Sequence, residues 1–212
     1  TGLFKVGSIR ISGNSYLDTS MILESARVEM NQAMFEVNTA DITNKLLKNK
    51  YIRGVSIAKL PPSMVRIDIQ EREPLFYLVD NYLYMVDETG IMLRKLPGMP
   101  MAKLPLVTGL SVNQLLEDRT PLFQAIELTK KIHQVDEDLL SLISEIHIRK
   151  DKWPIIYLIK GGARVNLGEQ NHFQRLYLLS EFLKREPIIH RLENISGIDL
   201  TFTDRIIMKK KI

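Results

Sequence analysis

The chain has 212 residues, of which 45% are hydrophobic and 25% are charged, and its net charge is +4. This composition excludes a disordered chain and suffices for one large or two small hydrophobic cores. Four of the 29 lysines and arginines lie among the last eight residues, and the absence of cysteine excludes disulfides and thiolate metal sites.

The first module begins with a strand and two helices. Apolar residues alternate imperfectly from Phe4 to Ile11, which predicts a strand that ends in a turn at Gly13. Residues 18–20 are suitable caps for a short helix, and a second helix is expected to start at Asn38 or Thr39. The side chains expected to face the core from these helices are Ile22, Ala26, Val28, Ile42, Leu46 and Leu47.

Two further strands follow, joined by a turn at Pro61-Pro62. The first begins near Val55 and Ile57, and the second, residues 64–70, alternates strictly. Its apolar side is Val65, Ile67 and Ile69, and its polar side is Arg66, Asp68 and Gln70. This order predicts helices on one face of a three-stranded sheet. The charged segment from Glu71 to Pro74 then starts a new module.

The second module starts with a meander of three strands over residues 76–94. Three prolines predict irregular structure from there as far as Gly109. A helix begins at Thr120-Pro121, because proline is favoured in the first helical turn. The side chains expected to face inward from it are Phe123, Ile126 and Ile132.

The last third of the chain predicts a strand around Ile146 and Ile148 and then a hairpin. Residues 155–159 pair with residues 163–167 across Lys160-Gly161-Gly162. Two more strands, residues 195–202 and 206–212, flank a turn at 203–205, so the chain ends on a strand. Between the hairpin and these two strands, a core-facing helix ended by Pro187 is predicted, with inward residues Phe173, Leu176, Tyr177, Leu179, Phe182 and Leu183.

No catalytic motif is present: the sequence lacks a glycine-rich phosphate loop, a zinc-binding histidine pair and a serine nucleophile elbow. The acidic residues 136–138 lie at a helix start, where they favourably meet the helix dipole, and are interpreted as structural.

The longest apolar run, residues 153–159, is far shorter than the roughly 20 residues of a membrane-spanning helix. Aromatic residues do not alternate with a basic stripe, which disfavours nucleic-acid binding. The histidines stand too far apart to predict a metal site: His133, His147, His172 and His190.

The order of elements and seven short motifs resemble the FtsQ/DivIB family of bacterial cell-division proteins. Each motif is weak alone, but all occur in the correct order along nearly the whole chain. They are Phe4-x-Val-x-x-Ile-x-Ile-x-Gly13-Asn14, Phe35, Pro62-x-x-Val65-x-Ile67-x-Ile69-x-Glu71-Arg72-Glu73-Pro74, Val86-Asp87-x-x-Gly90, Leu104-Pro105-Leu106-x-x-Gly109, Val165-x-Leu167-Gly168 and Ile198-Asp199-Leu200.

The resemblance implies an α+β fold, with a POTRA domain (β-α-α-β-β) over residues 3–72 and a mixed-sheet β domain with flanking helices over residues 73–212. It implies a non-enzymatic scaffold that links early and late division proteins, with no cofactor and no metal. The implied partners are FtsB and FtsL, with FtsK, FtsW and FtsI as further candidates. The implied location is periplasmic, tied to the inner membrane by a single N-terminal anchor outside these residues.

The resemblance also implies where partners bind. A chain that ends on a strand can leave an unpaired edge, to which an extended partner segment adds through main-chain hydrogen bonds. Relatives with Arg and Tyr where this chain has Thr201 and Phe202 are expected to differ in side-chain specificity. The expected binding residues at this C-terminal edge are Ile198, Leu200, Thr201, Phe202, Ile206, Ile207 and Met208.

Three alternatives stay open. In the first alternative, the lysines at 209–211 only protect the exposed edge against aggregation. A second predicted contact region, Val55, Ile57 and Lys59, matches where relatives recruit partners such as FtsK, but Val55 and Ile57 are alternatively core residues. Finally, the chain is alternatively a POTRA module of outer-membrane protein assembly or secretion, or an enzyme or nucleic-acid binder whose site shows no sequence pattern.

Overall fold

The computed structural model describes residues 4–95, 98–149, 152–185, 188, 191–202 and 205–211. The chain divides into two compact units, Thr1–Glu73 with Gly98–Pro100 and Pro74–Pro97 with Met101–Ile212. Each unit has its own hydrophobic core, and both mix helices with strands. Among the described residues, no helix is long and apolar enough to cross a membrane.

The first unit is a three-stranded sheet with two helices on one face. In the strand order β1-β3-β2, β3 pairs in parallel with β1 and antiparallel with β2. This is the small sheet with two helices that the sequence predicts. Its elements are β1 (Ser8–Ser12), α1 (Thr19–Ala26), α2 (Thr39–Leu46), β2 (Ile52–Leu60) and β3 (Met64–Glu71).

The alternation of β3 builds the core of this unit. Val65 and Ile67 are fully buried and pack with Ile22 of α1 and Leu46 of α2. Asn38 caps α2, because its side chain accepts a hydrogen bond from the Asp41 amide at 3.1 Å. The predicted strand and helix positions are therefore confirmed for β3, α1 and α2.

Glu71 closes this unit at the end of β3. Its buried carboxylate accepts hydrogen bonds from the backbone N–H groups of Ser15, Tyr16 and Leu17, at 2.9, 2.8 and 2.8 Å. The loop before α1 is thereby joined to a residue more than fifty positions further along the chain. In the sequence, Glu71 is marked only by its charged segment and by the motif that ends at Pro74, and neither predicts these hydrogen bonds.

The second unit is built on a sheet that has nine strands in the described part of the chain, in the order β12-β11-β10-β9-β8-β7-β4-β5-β6. Its first elements are β4 (Phe76–Val79), β5 (Leu83–Val86), β6 (Met92–Arg94), β7 (Leu106–Thr108), α3 (Thr120–Val135) and α4 (Glu137–Ser141). The remaining elements are β8 (Ile143–Arg149), β9 (Lys152–Leu158), β10 (Arg164–Asn166), α5 (His172–Leu183), β11 (Ile195–Asp199) and β12 (Ile207–Lys210).

One row of side chains runs across the helix-covered face of this sheet. Val107, Ile146, Ile156, Val165 and Ile198 are register neighbours on successive strands, and all are at most 2% exposed. They form one core with the buried side chains of α3 and α5. The predicted hairpin of β9 and β10 lies within this row and is confirmed by the register of Val165 with Ile156.

The strand β7 was not predicted, because residues 97–109 were expected to be irregular. It has three residues and directly follows Pro105, so its apolar run is too short to show a period. The strand nevertheless lies inside the sheet, parallel to both β4 and β8. The first and last predicted strands are also shorter than expected, because β1 begins at Ser8 and β12 ends at Lys210.

Some predicted core residues are exposed. On α3 and α5, apolar positions cover more than half of the helix circumference, whereas the core contacts a narrower stripe. Asp136, in contrast, has the predicted structural role, because its side chain accepts the Asp138 amide and caps α4. Pro187, His190 and the turn residues 203–204 lie outside the described residues. The predicted core side chains that are exposed are Leu47, Phe123, Phe173 and Tyr177.

Candidate functional site at the open edge of the large sheet

The strand β12 forms one end of the large sheet. It pairs antiparallel with β11, with Met208 opposite Ile198 and Ile207 opposite Asp199. In the part of the chain that the structure describes, no strand lies on its other side. All of its side chains are exposed. The predicted open C-terminal edge is therefore present in the fold.

The backbone of β12 shows which of its groups point to this open side. Lys211 donates its N–H to the carbonyl of Asn194 at 2.8 Å. Because backbone groups of an antiparallel strand point to alternate sides, those of Ile207 and Lys209 also face β11. The irregularity in this pair adds its extra residue to β11, between Ile195 and Gly197, so the alternation along β12 is unbroken. The N–H groups of Met208 and Lys210 therefore point to the open side.

The exposed side chains at this edge include an apolar group. Met208 extends the buried row that ends at Ile198, yet it is 45% exposed because no further strand covers it. Phe202 is 48% and Ile207 is 36% exposed, while Ile206 is partly buried against the core. A strand added beside β12 would cover Met208 in the same way that β12 covers Ile198.

Three predicted site residues support the edge without lining it. Ile198 and Leu200 are almost completely buried in the core of the second unit. Thr201 forms a tight turn, since its N–H and its Oγ1 hydroxyl both donate to Asp199 Oδ1, at 2.9 and 2.7 Å. These three side chains fix the path of β11, and β12 in turn pairs with that strand.

A cleft of about 560 Å³, which the sequence does not predict, adjoins Thr201. Arg175 of α5 donates to the backbone carbonyls of Thr201, at 3.0 Å, and of Leu167. Arg149 lines the same cleft and donates to the Trp153 carbonyl. The cleft is assembled from the ends of several strands, so no local sequence pattern marks it. Its lining residues are Arg149, Trp153, Asn166, Gly168, Glu169, Gln170, Arg175 and Thr201.

His172 and Trp153 stack beside this cleft. Their rings are 3.5 Å apart and nearly parallel, and the His172 Nε2 lies 3.0 Å from the Gly168 carbonyl. Burial lowers the pKa of His172 below its ordinary value. Burial therefore favours the neutral imidazole, whose contact with the Gly168 carbonyl joins the start of α5 to the loop before it.

The second predicted region lies on β2 in the small sheet. Val55 is in register with Ile69 and Ile57 with Ile67, so both face the core and are partly buried against it. Lys59, opposite Val65, is on the same side. Like β12, β2 is an end strand of its sheet in the described residues. Side-chain contacts of Val55 and Ile57 with a partner would compete with their core packing.

The described residues contain no cluster of three or more acidic or histidine side chains that could hold a metal ion. Comparison with known families gives two matches. Residues 4–72 match the model of the POTRA domain, FtsQ-type. Residues 77–201 match the model of the cell division protein FtsQ/DivIB, C-terminal. The strand β12 follows the second matched region.

Individual relatives agree with these matches. The cell division protein FtsQ of Geotalea daltonii is 26% identical over 214 residues, which cover 99% of this chain and 77% of that protein. FtsQ of Geobacter sp. (strain M21) is 26% identical over 215 residues, with the same coverage. The cell division protein DivIB of Clostridium botulinum is 31% identical over 112 residues, covering 52% of this chain and 44% of that protein.

Proposed function

The chain belongs to the FtsQ/DivIB family of cell-division proteins, and from this premise we propose that it is a non-enzymatic scaffold of the division complex that binds FtsB and FtsL by strand addition to β12. The observation that carries the proposal is the open side of this strand. A partner strand there would pair with the N–H groups of Met208 and Lys210 and cover exposed apolar side chains.

The match of residues 77–201 to the family's C-terminal domain disfavours a role as a POTRA module in outer-membrane assembly or secretion. We assign residues 3–72 to the POTRA domain and residues 73–212 to the β domain. Both are proposed to lie in the periplasm, tied to the inner membrane by an anchor N-terminal to Thr1. FtsK, FtsW and FtsI remain candidate partners, with β2 as the proposed contact region for FtsK.

Proline substitutions separate binding from folding at this edge. Proline has no N–H, so Met208→Pro removes a donor on the open side, where an end strand tolerates proline. Lys209→Pro instead removes a donor that faces β11, and it serves as the matched variant that damages the sheet itself. Met208→Ala removes most of the exposed side chain but keeps the backbone donor.

The assay is calorimetric titration with the extracytoplasmic segment of FtsB, alone and with FtsL, from the same organism. We expect Met208→Pro to weaken binding at least about tenfold, since it removes a main-chain hydrogen bond and brings a ring against the incoming strand. Met208→Ala and Phe202→Ala are expected to have smaller effects. Circular dichroism checks that each variant is folded. Unchanged affinity of a folded Met208→Pro variant would exclude strand addition at β12.

A further inference from the structure

The exposed side chains of β12 divide the strand into two halves. Its first half carries Ile207 and Met208, which are apolar, and its second half carries Lys209 and Lys210. Because side chains alternate between the faces of a sheet, Met208 and Lys210 lie on the helix-covered face. Ile207 and Lys209 lie on the opposite face. Each face of the edge therefore presents one apolar position followed by one cationic position.

The positive charge on the second half is not neutralised within the described residues. No carboxylate lies within ion-pair distance of the Nζ atoms of Lys209 or Lys210 in that part of the chain. The stem of Lys209 lies over Gly197, whose missing Cβ would be only 3.9 Å from Lys209 Cβ and Cδ. Exposed Arg164 is the register neighbour of Gly197 on β10, so a second cationic residue lies on this face of the sheet.

The adjacent Lys211 is held differently. Its Nζ donates to the Gly161 carbonyl at 2.8 Å, which directs this ammonium group towards the turn between β9 and β10. Lys209 and Lys210 are therefore the cations that an added strand would meet. A second copy of β12 would bring further lysines to the same place, so charge disfavours self-pairing of this edge.

We propose that the strand added to β12 carries two consecutive acidic residues next to two consecutive apolar residues, and that Lys209 and Lys210 select it and fix its register. This inference rests on the proposed function, because it specifies the partner of the same edge. A slip of two residues in one direction would place the carboxylates against Ile207 and Met208, and a slip in the other direction would place the apolar residues opposite both lysines. Such a slip loses the ion pairs and the apolar contacts together.

Synthetic peptides test this specificity without knowledge of the natural partner. Two fluorescently labelled twelve-residue peptides contain Glu-Glu-Val-Val or Val-Val-Glu-Glu at their centre, to allow either strand direction. Two matched peptides contain lysine in place of each glutamate. Binding to the full 212-residue chain is followed by fluorescence anisotropy at low and high salt.

We expect one acidic peptide to bind at least about tenfold more tightly than its lysine counterpart at low salt, with a smaller ratio at high salt. The double variant Lys209→Glu with Lys210→Glu should reverse this preference. Lys48→Glu with Lys50→Glu makes the same change in net charge on exposed lysines of the first unit, and it should leave the preference intact.

The outcomes separate the two proposals. If neither acidic peptide binds, or if acidic and basic peptides bind equally, the lysines do not select the partner and this inference is overturned. The proposed function is judged independently by the effect of Met208→Pro on the FtsB titration. If Met208→Pro abolishes FtsB binding while acidic and basic peptides bind equally, the proposal of strand addition to β12 stands. Lys209 and Lys210 are then assigned to protection of the edge against aggregation.

Discussion

Replacement of Glu71 tests whether one buried carboxylate holds the first unit together. The Glu71→Ala variant leaves three backbone N–H groups, of Ser15, Tyr16 and Leu17, without their acceptor. A hydrogen bond to a charged group contributes about 1.5–3 kcal/mol, and the three bonds share one acceptor, so we expect a total loss of about 3–5 kcal/mol. This is a large fraction of the roughly 5–15 kcal/mol that stabilises a typical domain.

Glu71→Gln provides the graded comparison. Its remaining carbonyl oxygen can keep the bonds from Ser15 and Tyr16, which both reach Oε2, whereas its amide group would face the N–H of Leu17. We expect a loss of about 1–2 kcal/mol. Glu73→Ala, at an exposed glutamate two residues further along, is the matched control and should change stability by less than about 0.5 kcal/mol.

Native-state hydrogen exchange measures these losses unit by unit. The β3 amides report the opening of the first unit, and the β8 amides of the second unit serve as an internal reference. The predicted order of destabilisation of β3 is Glu71→Ala, then Glu71→Gln, then Glu73→Ala, without a matching change in β8. If Glu71→Ala lowered the opening free energy by less than about 1 kcal/mol, the assigned role of this carboxylate would be wrong.

Three further predictions concern the second unit. Gly109 has φ +79°, and an added Cβ would lie 2.1 Å from the Ile148 carbonyl oxygen. Gly109→Ala should therefore lower the free energy of unfolding, measured in urea, by more than about 2 kcal/mol. A near-neutral result would refute the close approach of these two backbone segments. Burial lowers the pKa of His172, so the stabilising contribution of its neutral ring is complete above about pH 6.5 and is lost as the pH falls through the lowered value. Between pH 7.5 and 5, the stability of the His172→Phe variant in urea unfolding should therefore fall less than that of the unsubstituted chain. Parallel pH profiles of the two proteins would contradict this. The hydrogen bond from the Ser180 hydroxyl, together with Lys184, lowers the pKa of Asp136. The stability that this shift contributes is complete above about pH 3.8 and is lost on further acidification. Ser180→Ala should raise the pKa of Asp136 measured by NMR titration, and an unchanged pKa would contradict the hydrogen bond.

Local patterns predicted the elements whose pattern is complete within one segment. The strand β3 was found because its alternation extends over the whole strand, and the hairpin of β9 and β10 because Lys160-Gly161-Gly162 marks its turn. The strand β7 was missed because three residues after a proline show no period. Phe123, Phe173 and Tyr177 were placed in the core because their spacing fits a helix, although the stripe that contacts the sheet is narrower than the apolar surface.

The candidate site was predictable only in part. That the chain ends on a strand could be read from residues 206–212, but the direction of each N–H depends on the pairing of β12 with β11. Glu71 and Arg175 each join distant segments through hydrogen bonds between their side chains and backbone groups. No local sequence pattern predicts such bonds. The cleft beside Thr201 was missed for the same reason, since its residues come from separate strand ends.

Hydrogen exchange of individual β12 amides tests the central claim most directly. The chain is saturated with the extracytoplasmic segments of FtsB and FtsL, and amide exchange is followed by NMR before and after addition. Strand addition predicts new protection of the Met208 and Lys210 amides, which point to the open side, with little change at Ile207 and Lys209, which already face β11. Tight binding of the segments without protection of Met208 and Lys210 would contradict the account.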